Sequence, residues 1–290
     1  MNKILLSVLI LWPGIVFSQG IKKDTAANKP VVYLIGAVHD MHFNPDNHYT
    51  INDLLAQVRA LHPDLVCGEI TPEAFQQPME GYFPPEAAFL AEMAAESGYR
   101  FVPVDWRLDR ATQMLANTNY PASVKEQSAG LVNDMQAGIR NLKEPSLYDF
   151  MHNPVTIHKL DSLYEQIICT NALSEIASGS WRERNRRIIE NGMAAAGDAR
   201  VIVFVFGIDH LPQLQRQLKA AGIEAQIPGR KFVPGNDFTI QNAVLDRWKR
   251  NRENLILIRD QKIPATLDNY QKVVNSRRIE NLEEAIQKSL

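Results

Sequence analysis

Apolar residues in this chain fall into short unbroken runs, separated by segments in which they recur at helical spacing. Runs at 31–36, 65–70, 101–105, 201–206 and 223–227 have the length and composition of buried strands. Between them the pattern predicts a helix from Thr50 or Asn52, either of which is a suitable N-cap, to about residue 61. It predicts a second over 84–97 closed by Gly98, and a third over 211–221 ending at Gly222. Pro103 lacks a backbone donor, which predicts an edge position for the third strand. Alternating strands and helices imply an α/β fold with a mainly parallel, or mixed, central sheet and helices on both faces. From about 108 to 198 the strand runs vanish, which reads as a large helical insertion. Residues 31–237 then form one α/β domain, and 238–290, amphipathic throughout, a helical extension packed on it.

The start of the chain has a different pattern. Met1-Asn2-Lys3 precedes a nearly pure apolar stretch from 4 to 17, and Val16 and Ser18 are small residues just before Gln19. This is the layout of a cleavable signal peptide over 1–18, followed by a polar leader over 19–30. The expected mature protein starts near Gln19, is periplasmic or secreted, and keeps no stable membrane span after cleavage. A formal net charge of −2 and a pI near 6.4 offer no basic field, so nucleic acid is not an expected partner. Cys67 and Cys169 read as packing residues, with pairing in an oxidising compartment as the alternative.

The first and fourth strand runs end in the same way, as Gly36-Ala37-Val38-His39 and Gly207-Ile208-Asp209-His210. Each presents a histidine after a glycine that permits a tight turn or a close backbone approach. In parallel sheets ligands bind beyond the carboxyl ends of the strands, where His39, Glu69, Asp105 and His210 all fall. Two histidines with a carboxylate suit a borderline divalent metal such as zinc, manganese or cobalt. Glu69 is then either a ligand or the general base. Asp40 and Asp209 adjoin the histidines and either orient them or face solvent, and His42 is a further candidate for the site. Four arginines between 182 and 187 either bind a carboxylate or phosphate or cover a solvated helix face. The chain contains no glycine-rich phosphate loop, His-Glu-x-x-His helix or Gly-x-Ser-x-Gly elbow.

The two motifs, Glu69 within Cys67-Gly68-Glu69-Ile70, and Arg184-Asn185 ahead of the second motif together resemble the TraB/Tiki superfamily. That group also takes in ChaN-like haem-binding proteins and erythromycin esterases. The resemblance spans residues 31 to 227 and, for Tiki-like members, implies a metal-dependent peptidase; with the signal pattern at 1–18 the expectation is an exported metal-dependent hydrolase acting on a peptide or amide bond. The resemblance implies His39, His210 and Glu69 at the site; the expectation is that the histidines hold the metal, Glu69 is ligand or base, and Arg184 and Asn185 orient substrate or stabilise negative charge. Asp105 joins them as a substrate contact. The rival expectation is a non-catalytic protein of the same superfamily that binds haem, metal or a peptide.

Overall fold

The computed structural model describes residues 29–75, 84–236, 239–264 and 276–289. The expected signal peptide and most of the leader lie outside these residues. Five strands, β1 (Val31–Ala37), β2 (Leu65–Gly68), β3 (Arg100–Pro103), β4 (Val201–Gly207) and β5 (Ala225–Gln226), form one all-parallel sheet in the order β3-β2-β4-β1-β5. The fold is α/β. β1 and β4 are apolar because they are enclosed: Val32, Leu34, Ile35 and Ile202 to Phe206 are buried. β3 is an edge strand, as Pro103 requires.

β1 leads through α1 (Ile51–Arg59) towards β2 on one side, whereas β4 leads through α11 (Leu211–Ala220) to β5 on the other. With right-handed crossovers the two helices lie on opposite faces, and the chain changes direction between β1 and β4. That is the topological switch point, the standard ligand crevice of such sheets. The two Gly-x-x-His segments therefore leave the sheet side by side, with Ala37 paired to Gly207.

Local signals set the element ends. Thr50 caps α1 in a full capping box with Asp53, the arrangement expected to contribute about 0.5–2 kcal/mol. β2 stops at Gly68, short of the expected 70, because the Ile70 amide turns back to the Gly68 carbonyl at 2.9 Å. That turn puts Glu69 just past the last paired residue and ahead of the short helix α2 (Pro72–Phe75). The predicted helix over 84–97 is split at Met93 into α3 (Pro85–Glu92) and α4 (Ala94–Ser97), with Gly98 closing it at φ +77°.

The regular elements between β3 and β4 are all helical: α5 (Arg110–Thr118), α6 (Ala122–Arg140), α7 (Leu147–His152), α8 (Pro154–Asp161), α9 (Ala172–Ala177) and α10 (Trp181–Ala194), with a π-helical turn at Ser162–Ile167 and a 3-10 turn at Ile168–Thr170. After β5, α12 (Asn242–Arg259) packs on α3, and α13 (Ser276–Lys288) packs on α12 and on the loop after β1. Trp248 of α12 meets Phe89 of α3 and Phe43 of that loop, and Lys288 donates to the Phe43 carbonyl at 3.2 Å. Cys67 and Cys169 are both buried and unpaired with each other.

Candidate functional site

The two motifs interlock. A Cβ at Gly36 would lie 2.2 Å from Ile208 Cδ1, and a Cβ at Gly207 would lie 2.7 Å from His39 Nε2. Each motif's glycine therefore leaves room for a side chain of the other motif. Gly207 has a φ of −46°, so space rather than backbone conformation requires glycine there. His39 is the residue with the unusual backbone, at φ +52° in the left-handed region that side chains rarely adopt.

Both histidines have one ring nitrogen fixed. His39 Nδ1 lies 2.7 Å from Oε1 of Glu86, a buried residue on α3. His210 Nδ1 lies 2.7 Å from Oδ1 of Asn185, whose amide nitrogen donates to the Trp181 carbonyl at 2.7 Å. The amide donor is spent on that carbonyl, so the Asn185 oxygen faces the ring and Nδ1 of His210 is the donor. His210 Nε2 then carries a lone pair and faces Glu69 Oε1 at 3.9 Å. The ring packs against Trp181, 4.3 Å between centroids, and Trp181 stacks on Tyr164 of the π-helical turn at 4.0 Å.

Glu69 is the hub. Its Oε2 accepts from the Gly207 amide at 2.6 Å, and its Oε1 accepts from Arg184 at 2.9 Å and Arg107 at 3.4 Å. Arg184 also grips both oxygens of Asp105 at 2.9 Å, and Arg107 Nε reaches Asp105 Oδ2 at 2.8 Å. Arg184, Glu69 and Asp105 are buried, whereas the Arg107 side chain is 37% exposed.

Two carboxylates and two guanidiniums thus form one compensated cluster under the histidines, as buried charges require. Burial alone would raise the Glu69 carboxyl. The surrounding charges of His39, His210, Arg184 and Arg107 outweigh it and hold the group well below the usual carboxylate range.

The same forces split the histidines. Burial lowers His39, but Glu86, by charge and hydrogen bond, and then Glu69 and Asp209 lift it to about 9. Burial, followed by the nearby Arg184 charge, pushes His210 well below its ordinary value.

The expected site residues divide on this geometry. His39, Glu69, Asp105, Arg184, Asn185 and His210 come together. Arg184 binds Asp105 and Glu69 in buried contacts, and Asp105 also binds the partly exposed Arg107 and accepts from the Trp106 amide. Asn185 acts on His210. Asp209 is exposed and accepts from the Tyr164 hydroxyl at 3.1 Å.

Asp40 is exposed and lines an open cavity of about 700 Å³ with Arg140 and Lys288. His42 is fully buried with both ring nitrogens used by backbone, Nε2 taking the Val38 amide at 3.1 Å and Nδ1 giving to the Tyr49 carbonyl at 2.9 Å.

Two participants escaped the sequence reading. Arg107 lies two residues past Asp105. Glu86 is the lone charge at the head of the buried run Glu86 to Leu90, and that isolation is the signal that marks it.

The donor chemistry fits a divalent cation. Two imidazoles have Nδ1 anchored to an oxygen, the outer support that metal-bound histidines use, and the absence of a Cβ at Gly207 lets His39 Nε2 and Glu69 Oε2 both approach that point, to 2.7 and 3.3 Å. Among the described residues no three His, Cys, Asp or Glu side chains already converge as a metal-binding group. Comparison with family models, curated proteins and solved structures finds no match to this chain.

Proposed function

We propose that the β1/β4 edge is a hydrolytic centre acting on a peptide or amide bond, with a divalent cation held by Nε2 of His39 and His210 beside Glu69. One observation carries the reading: each imidazole has its Nδ1 tied back by an oxygen, and the two rings flank one buried carboxylate. The motif resemblance to the TraB/Tiki superfamily supports it, as does the position at the switch point. When bound, such a cation supplies Lewis acidity and lowers the pKa of a coordinated water towards 7.

The chain's own groups do the rest. Arg184, anchored by Asp105, keeps Glu69 ionised. A carboxyl held so low is a weak proton acceptor, which favours Glu69 as ligand over Glu69 as base. His39 at about 9 is an imidazolium until its Nε2 proton is displaced, so cation uptake releases a proton. Arg107, at the exposed side of the cluster, is placed to stabilise negative charge developing on a carbonyl oxygen. Export through a cleaved signal peptide belongs to the same proposal and rests on residues 1–18 alone.

Metal analysis of the purified full chain, beside a His39→Ala/His210→Ala variant, tests it. Stoichiometric zinc, manganese or cobalt in the wild type only, with peptide cleavage that follows the metal, is the expected result. Wild-type protein that stays metal-free in excess of all three overturns it.

A second reading is favoured by the occupancy of Glu69. Both its oxygens already accept hydrogen bonds, which suits a site that binds metal, haem or a peptide without turnover. A Soret band on adding haem, lost in the double variant, together with no cleavage of any peptide, selects that reading.

A further inference from the structure

Among the described residues, β1 has a neighbouring strand on its outer side only at Val32 and Tyr33, where β5 pairs with it. Farther along, its outward backbone groups meet side chains instead. The Gly36 amide donates to His152 Nε2 at 2.8 Å, the Tyr49 hydroxyl donates to the Gly36 carbonyl at 2.9 Å, and the Val38 amide donates to His42 Nε2 at 3.1 Å.

These three side chains are themselves fixed. His152 Nδ1 gives to the Tyr148 carbonyl at 2.9 Å, and its ring stacks on Tyr148 with centroids 3.8 Å apart. Tyr49 is buried between Tyr148, Phe232 and His42. Left unpaired, each of these backbone groups would cost about 1–3 kcal/mol.

We propose that His152, Tyr49 and His42 form a surrogate strand that fixes the end of β1 and so holds His39 in its left-handed conformation. They are positioning residues for the site, and their effect on cation uptake rests on the hydrolytic reading above. Each imidazole works only as the neutral ring, accepting an amide at one nitrogen and donating from the other. Burial keeps them so, lowering His152 to about 3 and His42 below its ordinary value.

His152 also lines an open cavity of about 610 Å³ between α8 and α11, together with Pro154, Ile157 and Ala225. Removing its ring therefore leaves a slot that a free imidazole can enter from solvent.

The test uses the full chain, metal-free, as wild type, His152→Ala and Tyr49→Phe. Amide exchange at Gly36 is expected to accelerate by at least about tenfold in both variants, and to slow again in His152→Ala when excess imidazole is added. Zinc binding without imidazole is expected to weaken by about 10–100-fold in both, as for other outer-shell losses. Tyr49→Phe keeps the aromatic packing and loses one hydroxyl, so it serves if His152→Ala fails to fold. Unchanged Gly36 exchange in the variants overturns the surrogate strand. A wild type that takes up no zinc argues against the hydrolytic reading and leaves the exchange measurement to decide this one.

Discussion

His39 Nε2 lies 2.7 Å from the point where a Cβ on Gly207 would stand, so the histidine of the first motif occupies the space left by the glycine of the second. Ile208 Cδ1 returns the relationship at Gly36, 2.2 Å from the corresponding point.

The two glycines therefore differ in what an added methyl would do. Gly207→Ala displaces a 40% exposed imidazole that has room to move, so it should unfold little but abolish cation uptake. Gly36→Ala drives a methyl into buried Ile208 and should cost about 1–3 kcal/mol by overpacking. Chemical denaturation beside metal titration separates the two. A Gly207→Ala protein with wild-type metal affinity would contradict the interlock.

Asn185 controls which nitrogen of His210 faces Glu69. Asn185→Leu removes the acceptor while keeping the volume, and His210 loses its fixed tautomer. Metal affinity and any cleavage should fall by about 10–100-fold. Asn185→Asp should keep most of the binding, because a carboxylate accepts the same proton. Equal losses in the two variants would mean that Asn185 merely packs.

The Arg184 cluster should show the asymmetry of buried charge. Arg184→Met strands Asp105 and Glu69 and is expected to cost about 3–5 kcal/mol. Arg107→Met, at the half-exposed end, should cost about 1 kcal/mol or less. Urea midpoints of the two variants give the comparison, and a ranking in the other order would place the main anchor at Arg107.

Stability should respond to pH in opposite senses at the two ends of the range. His152 has a folded value of about 3 against an ordinary 6.5, so the unfolded chain holds more protons between them. Its contribution is complete above 6.5 and is lost as pH falls towards 3, at up to ~1.4 kcal/mol per unit. His39, raised to about 9, contributes fully below 6.5 and loses that contribution as pH rises through 9. His152→Ala should flatten the acid limb of a stability–pH curve and His39→Gln the alkaline limb. Limbs that survive these substitutions belong to other groups.

The sheet was legible because enclosed parallel strands are written as unbroken apolar runs, and Pro103 marked its own edge. The site was legible to the depth of strand ends: His39, Glu69, Asp105 and His210 follow from position alone. What each side chain touches was not. Arg184 reads as a substrate contact in the sequence, and only the fold shows that its Nε and one Nη hold Asp105 and Glu69. His42 sits among loop residues of solvated type, and only the turn back to Tyr49 explains its burial. Glu86 serves His39 across 47 positions of sequence, a pairing that no local spacing encodes.

The last helices give the site a place in the order of synthesis. Trp248 backs both the Phe43 loop that follows His39 and the α3 helix that carries Glu86, and Lys288 ties down that loop at Phe43. A chain synthesised only as far as β5 has its whole sheet, but the turn holding His39 and the helix holding its carboxylate still lack their support. The Lys288–Phe43 contact joins positions 245 apart, so the turn after β1 takes this support from α13, written long after β5. The turn of the first motif is thus the first part of this sheet edge to be written in sequence and among the last to receive its supporting contacts.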